Sequence, residues 1–349
     1  MIYLHVPFCR SFCTYCGFYS ELPDKGCGQG FEAYGDAVCQ EAASRRDEIA
    51  STLSVNTLYI GGGTPSVLPP SVLSRIVEAL PYGPFEEFTL EANPDDVTAS
   101  ALSLWKSLGV NRLSMGVQSF DDSLLRWMNR RHDAAGALRA FSLAREAGFG
   151  NISIDLIFGV DGFPSWEESV RRAVSLRPEH ISAYQLSVED GSALSDMVAA
   201  GRYAEAPEEL CRAQYDMLCR LLGEAGYVHY EVSNFALPGY EAVHNSAYWK
   251  RVPYVGLGPA AHSFDGKRRR WNTASLTYTS ENEVLTPEDI RVETIMLGLR
   301  TARGVDYGLV AGEACDRLLA EGALVRSGGT VRIPEDRFFV SDDIIRQLI

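Results

Sequence analysis

The chain has 349 residues, 46% of them hydrophobic, enough for two or three domains or for one large barrel with an appendage around a sizeable core. Its formal net charge is −14, from 46 acidic against 32 basic residues; this balance repels phosphate backbones and anionic lipid, and no nucleic-acid partner is expected. The opening MIYLHVPF carries no basic region and no long apolar run, and no stretch approaches a membrane span, so the eight cysteines are expected in reducing cytoplasm, where a tight cysteine group reads as metal-binding or catalytic.

From the N-terminus, short β-branched runs alternate with amphipathic segments. IYLHV (2–6) reads as the first strand, followed by a helical pattern at 31–52. TLYI (57–60) and the pattern at 70–80 come next, then FTLEA (88–92) with 97–108. RLSMGV (112–117) precedes two helical patterns, 121–129 and 133–147. ISIDLIF (152–158) precedes 165–175, and ISAYQL (181–186) is the sixth strand. Such alternation implies parallel strands joined by right-handed crossovers, in an open sheet or a partial barrel. A helix at 207–225 and YVHYEVSNFA (227–236) extend the sheet. KRRR (267–270), the only dense basic run, reads as a solvated turn in a loop. The last third changes character. TPEDIRVETIMLGLR (286–300) begins on a Pro start signal, and EACDRLLAEGAL, the turn RSGGT and VRIPEDRFFVSDDIIRQLI complete a small winged-helix-like unit. Such units often bind DNA, but the acidity of this chain points to packing or docking.

Three cysteines, Cys9, Cys13 and Cys16, stand in a C-x3-C-x2-C run. Tetrahedral zinc wants a fourth protein ligand. Gly17, Phe18, Tyr19 and Ser20 offer no close thiol, His5 on a strand is poorly placed, and Cys27 in GCG is a distant candidate. A [4Fe–4S] cluster fits better: thiolates hold three irons and the fourth stays open for a small chelating ligand. A zinc knuckle and unrelated buried thiols are the alternatives. Cys39, Cys211, Cys219 and Cys315, isolated on helical patterns, read as small buried hydrophobes, and His132 and His180 as structural or solvent-facing.

CRSFCTYC resembles the signature loop of the radical S-adenosylmethionine (SAM) superfamily. YLHVPFC, YIGGGTPSVL, LEANPDD, RLSMGVQSFDDSLLRWMNRRH, YEVSNFALPGY, HNSAYW and YVGLGPAAHSF, in that order, are similar to one branch of it. That branch comprises the oxygen-independent coproporphyrinogen III oxidases and their HemW-type haem chaperone relatives. The resemblance covers nearly the whole chain. It implies an α/β fold: a partial (β/α)6 radical-SAM barrel over 1–235, a family-specific segment with an H-N-x-x-Y-W motif over 236–284, and a C-terminal α+β, winged-helix-like domain over 285–349. It implies a cluster on Cys9, Cys13 and Cys16 whose open iron takes the amino and carboxylate groups of SAM. An electron from the reduced cluster then breaks a carbon–sulfur bond to give methionine and a 5′-deoxyadenosyl radical. Gly62, Gly63 and Thr64 in GGGTP would let the backbone approach SAM. Glu91, Gln118 and Asp155, at strand ends, match positions that contact its ribose or methionyl groups, and Arg130 one near its carboxylate; Arg131 beside it reads as solvent-facing. Tyr3, His5 and Tyr15 match positions around cluster and SAM, with packing an equal reading for the two tyrosines. No catalytic residue is assigned.

Phe18 separates the two activities of that branch. The oxidases usually carry a fourth cysteine two residues after the third; the chaperone-like members resemble this chain. HNSAYW (244–249) points the same way. His244 offers a nitrogen for haem iron, and Tyr248 and Trp249 offer flat faces for a porphyrin, unless the motif is an aromatic packing corner. His262 is a second candidate facing the same cavity. One departure is FGVDGFP, with Asp161 where the family commonly has proline. The expectation is a cytoplasmic radical-SAM haem chaperone that passes haem to an acceptor protein, such as a membrane-bound one, and needs a reductant for its cluster. The alternative is oxidative decarboxylation of coproporphyrinogen III.

Overall fold

The computed structural model describes residues 1–23, 30–81 and 83–349. Strand and helix alternate through β1 (Ile2–Val6), α1 (Gly30–Ser44), α2 (Arg46–Ser51), β2 (Thr57–Gly62), α3 (Pro70–Ala79), β3 (Glu87–Ala92), α4 (Ala99–Ser107), β4 (Arg112–Gln118), α5 (Asp122–Trp127), α6 (Ala134–Glu146), β5 (Ile152–Phe158), α7 (Trp166–Leu176) and β6 (His180–Gln185). β1 to β6 pair in sequence order, all in parallel. α8 (Ala193–Ala199) and α9 (Glu208–Glu224) lead to β7 (Val228–Glu231) and β8 (Asn234–Ala236); β8 lies antiparallel beside β6, with β7 beyond it. After α10 (Val243–Trp249), β9 (Val255–Leu257) pairs in parallel with the other edge of β1. The strand order β7-β8-β6-β5-β4-β3-β2-β1-β9 is open, so the barrel is partial.

Period-two alternation sorts the six parallel strands into two faces. Leu4, Ile60, Leu90, Leu113, Ile154 and Ile181 alternate onto the outer face and are fully buried under the helices. Each such side chain stabilises the fold by about 1.5–3 kcal/mol. The opposite face is polar. Register sets Tyr59 beside Thr89 and Thr89 beside Arg112, Glu91 beside Ser114, and Asp155 beside Ser182. Closed (β/α)8 barrels fill this interior with Val, Ile and Leu. Here it carries hydroxyls, carboxylates and a guanidinium, and it opens into a cavity.

Three local expectations differ from the structure. The helix expected over 31–52 breaks at Arg45, which is buried and turned inward. Its guanidinium donates to Glu41, Glu48, the Gly256 carbonyl and Ser263, tying α1 and α2 to the segment after α10. The KRRR run is not a loop. Arg268 to Arg270 belong to β11 (Arg268–Asn272), the middle of an antiparallel sheet with β10 (His262–Phe264) and β12 (Ser280–Val284). Two of its three arginines are paired across the sheet and beyond, Arg269 with Glu283 and Glu293, Arg270 with Glu48. Arg131 is not simply solvent-facing, since it donates to Asp96 at 3.0 Å.

The C-terminal region is α11 (Pro287–Leu299), β13 (Val305–Asp306), α12 (Glu313–Ala320), β14 (Val325–Ser327), β15 (Thr330–Arg332) and α13 (Ser341–Ile345). Thr286 and Asp289 form a capping box at the start of α11. This unit packs against β7 and α9: Val232 N–H donates to the Arg300 carbonyl, Ala302 N–H to the Tyr230 carbonyl, and Phe338 meets the His229 ring edge-on. Among the described residues, no helix is long and apolar enough to cross a membrane.

Candidate cluster and cofactor site

The loop after β1 carries Cys9, Cys13 and Cys16, all half-buried and all lining one cavity of about 1120 Å³. Ordinary ligand pockets hold about 300–1,000 Å³, so the space exceeds that of a single small ligand. Several contacts from the barrel hold the loop in place. Thr14 N–H donates to the Met128 carbonyl at 3.1 Å and its hydroxyl to the Trp127 carbonyl at 2.8 Å. Asn129, in the left-handed region with φ 56°, ends the turn after α5 and donates from Nδ2 to the Phe12 carbonyl at 2.7 Å. The next residue, Arg130, is thereby aimed inward. Its Nη1 donates to Cys13 Sγ at 3.2 Å and its Nη2 to the Gly116 carbonyl at 2.6 Å.

On the β2 side, backbone lies against the loop where no side chain fits. Gly62 has φ 112°, and a Cβ there would come within 2.8 Å of the His5 ring. A Cβ on Gly63 would stand 2.8 Å from the Phe8 carbonyl oxygen and 3.1 Å from Cys9 Sγ. Thr64 completes the turn with its hydroxyl 3.4 Å from that sulfur. Burial pushes the Cys9 and Cys16 thiols up; coordination to a metal is what deprotonates such groups. Among the described residues, no three His, Cys, Asp or Glu side chains converge tightly enough for a single ion. A four-iron cluster puts each cysteine on a different iron and does not need that convergence. The three thiols, the Arg130 guanidinium and the bare Gly62–Gly63 backbone therefore fit a cluster better than a zinc ion. Cys27 lies outside the described residues.

Deeper in, the barrel supplies its polar face. Glu91 accepts from Tyr59 OH at 2.6 Å and from Gly62 N–H at 3.2 Å, and burial holds its carboxyl up at about 7. Asp155 accepts from Ser114 Oγ at 3.3 Å, and burial raises it too. Gln118 takes φ 66° where the β4–β5 register slips by one residue, a bulge that turns its side chain into the cavity. Tyr15, Gly62, Gly63, Thr64, Glu91, Gln118, Arg130 and Asp155 all line the same space. Tyr3 does not. Its hydroxyl is bonded to His5 Nδ1 at 3.2 Å and its ring stacks on Tyr59, so Tyr3 and His5 buttress the site from behind.

Arg112 was missed in the sequence. It is 1% exposed, lines the cavity floor, makes one long hydrogen bond to Thr89 at 3.5 Å and leaves Nε without a partner. Its charge pulls both Glu91 and Asp155 downward against their burial. The alternation R-x-S-x-G-x-Q over 112–118 was the signal that could have found it. Tyr59, Ser114, Ser182 and Tyr184 line the cavity in the same way.

The haem candidates lie elsewhere. His244 on α10 is fully buried. Its Nδ1 is bonded to Thr57 Oγ1 at 2.8 Å and its Nε2 to Tyr248 OH at 3.0 Å, so both ring nitrogens are occupied and neither is open to iron. Burial drives its pKa down to about 3. Glu87 accepts from the Val243 and His244 backbone N–H groups at 2.9 Å each, which fixes the start of α10. Tyr248 packs edge-on to His244 and Tyr254, while Trp249 is half-buried beside them. The motif is thus an aromatic corner bracing β2, and of its residues Asn245 lines the cavity. The sequence reading sets His262 in the same cavity, and the structure corrects this: His262 does not line it but is exposed on β10.

A family model described as the radical SAM superfamily matches residues 3–173. The chain is 36% identical over 324 residues to the protein named Heme chaperone HemW of Bacillus subtilis, covering 87% of this chain and 84% of that one. It is 30% identical to the Heme chaperone HemW of Mycobacterium tuberculosis, over 100% of this chain and 94% of the relative. It is 32% identical to mouse radical S-adenosyl methionine domain-containing protein 1, mitochondrial, over 94% and 74%. Among solved structures, Escherichia coli coproporphyrinogen III oxidase, HemN, superposes with a TM-score of 0.82 over 99% of this chain and 89% of that one, at 21% identity, a likeness of fold.

Proposed function

The chain belongs to the radical SAM superfamily and, within it, to the family of the HemW heme chaperones, and from that membership we propose that it binds haem and hands it to an acceptor protein. The membership implies a [4Fe–4S] cluster and SAM. When bound and reduced, the cluster would supply the electron that cleaves SAM to methionine and a 5′-deoxyadenosyl radical. Cys9, Cys13 and Cys16 would hold the cluster, with Arg130 beside Cys13. Glu91, Gln118 and Asp155 would face SAM from the polar inner face of the barrel. A cellular reductant is then a partner, and an acceptor at a membrane is the recipient.

The observation that carries this reading is likeness to HemW proteins along 84% and 94% of their lengths. Phe18 agrees with it. It stands where a fourth cysteine would continue the loop, and it is 74% exposed at the cavity mouth. The test uses anaerobically reconstituted protein in two parallel assays. Haem titration should give a saturable absorbance change, and coproporphyrinogen III with SAM and reductant should yield no protoporphyrinogen. Turnover to protoporphyrinogen would establish the oxidase alternative and make Phe18 a tolerated variation.

SAM binding has its own expected result. Glu91→Ala, Gln118→Ala and Asp155→Ala should each weaken SAM by roughly five- to a hundredfold, the equivalent of one buried polar contact of about 1–3 kcal/mol. Equilibrium binding to cluster-loaded protein measures it, and three variants that bind as the parent does would remove these residues from the site.

A further inference from the structure

LEANPDD leaves β3 at Ala92 and turns at once. Asn93 Oδ1 accepts from the Asp95 N–H at 3.2 Å, and the Asn93 carbonyl accepts from the Asp96 N–H at 2.9 Å. This turn, built on an asparagine side chain, leaves Asp95 exposed and brings Asp96 inward, its side chain only 6% exposed. The Asp96 carboxylate then collects donors from three other segments. Ser66, in the turn after β2, donates to Oδ2 at 2.8 Å. Arg131, in the turn after α5, donates from Nη2 to Oδ1 at 3.0 Å, and Arg10 of the cluster loop brings Nε to 3.5 Å from the same oxygen. Ser66 Oγ in turn accepts from the Asn93 N–H at 3.1 Å. The connections that follow β1, β2, β3 and β4 thus meet on one carboxylate, at the strand ends where parallel barrels place their chemistry. Each donor sits next to a site residue: Arg10 follows Cys9, Ser66 stands two residues past Thr64, and Arg131 follows Arg130.

We propose that Asp96 is a positioning residue for the cluster and SAM: it fixes the Cys9 end of the cluster loop against the Gly62–Thr64 turn and balances the charge of Arg10 and Arg131 beside the cluster. The inference rests on the cluster and SAM reading and adds a residue to it. SAM held by an open iron and by the Gly62–Thr64 backbone would touch two loops at once, so their separation has to be fixed before it arrives. The clearance between them is small, since a Cβ on Gly63 would stand 2.8 Å from the Phe8 carbonyl oxygen and 3.1 Å from Cys9 Sγ. Arg10, with a side chain 58% exposed, does not order itself; the buried carboxylate already tied to Ser66 and Arg131 orders it. Charge acts beside geometry. Partners outside the ligand shell of a metal site orient its ligands, and the potential of an iron–sulfur cluster follows the net charge around it. An anion removed from beside two cations makes such a cluster easier to reduce. Both guanidiniums line the cavity, so their charge faces the site.

The test measures the cluster's midpoint potential and the SAM affinity of cluster-loaded parent, Asp96→Asn, Arg10→Gln and the double variant, after iron and sulfide analysis has shown equal loading. Asp96→Asn keeps the shape and one acceptor oxygen and removes the charge. It should weaken SAM about fivefold or more. It should also move the one-electron reduction equilibrium about two- to tenfold toward the reduced cluster, tenfold being about 59 mV. Arg10→Gln should move that equilibrium the opposite way. The double variant should return close to the parent's potential while SAM binding stays weak. A carboxylate that served packing alone would leave the potential at the parent's value in all three. Asp96→Asn with the parent's SAM affinity or the parent's potential would overturn the inference and leave the cluster reading intact. Where Asp96→Asn takes up no cluster, Arg10→Gln decides by itself, because its side chain is exposed: the parent's potential in that variant overturns the inference, and a shift to lower potential supports it. A parent that takes up no iron would overturn the cluster reading as well.

Discussion

Changing any one of Cys9, Cys13 and Cys16 to Ala is expected to take the anaerobically reconstituted protein from about four irons per chain to almost none, the content of one [4Fe–4S] cluster on three thiolates. The geometry gives the reason for so large an effect. The three cysteines line the cavity, and the loop that carries them is tied down by the Thr14 hydroxyl on the Trp127 carbonyl and by Asn129 on the Phe12 carbonyl. A missing thiolate cannot be replaced by a loop shift, since Gly62 and Gly63 already crowd His5, Phe8 and Cys9. Among the described residues, Cys39, Cys211, Cys219 and Cys315 lie away from the cavity lining and offer no substitute. Iron analysis, labile sulfide and the broad visible absorbance near the cluster's charge-transfer region should fall together in each variant. Cys39→Ala should keep all three signals. Stoichiometric zinc without iron uptake would end the cluster reading, and loss of iron in Cys27→Ala with retention in Cys9→Ala would show a different ligand set.

The barrel strands were legible because each has a strict two-residue alternation with a β-branched or leucine-rich outer face, and the observed ends fall within two residues of the expected ones. IYLHV and ISIDLIF coincide with β1 and β5. The same alternation concealed the inner face. In RLSMGVQ the eye goes to Leu113, Met115 and Val117, which pack outward, while Arg112, Ser114 and Gln118 line the cavity. Glu91, Gln118, Arg130 and Asp155 came from resemblance, and the structure brings them to one cavity from four separate segments. Position along the chain could not supply that convergence. Two kinds of feature were out of reach. β11 has no apolar pattern at all, because its pairing is carried by backbone and by charges that meet partners more than ten residues away. And the burial of His244 depends on Thr57, 187 residues earlier, so its ring looked available in HNSAYW when both nitrogens are spoken for.

Arg112→Gln is expected to weaken SAM binding at pH 7 by at least tenfold, although Arg112 stands at the floor of the cavity and need not touch SAM. Burial raises Glu91 and Asp155, the Asp155 carboxylate raises Glu91 further by like-charge repulsion, and the Arg112 guanidinium opposes the rise in both. With Arg112 present, Glu91 sits at about 7 and is partly ionised at neutral pH. Without it, both acids move up, and Glu91, already at about 7, is mostly protonated at pH 7. A neutral acid no longer attracts a cationic ligand, and losing the partner of a buried charge costs about 3–5 kcal/mol where the pair is in contact, less where, as here, it acts across the cavity. The sign in pH follows. Binding a cation favours the ionised acids, so affinity rises as pH climbs through their pKa and then levels off. The parent should level off about one pH unit above Glu91's value of about 7, and Arg112→Gln should go on gaining affinity toward pH 9. Arg112→Lys, which keeps the charge, should stay close to the parent. SAM titrations of cluster-loaded protein at pH 6, 7, 8 and 9 read all three. An Arg112→Gln variant with unchanged affinity and the parent's pH profile would show that the guanidinium serves packing alone.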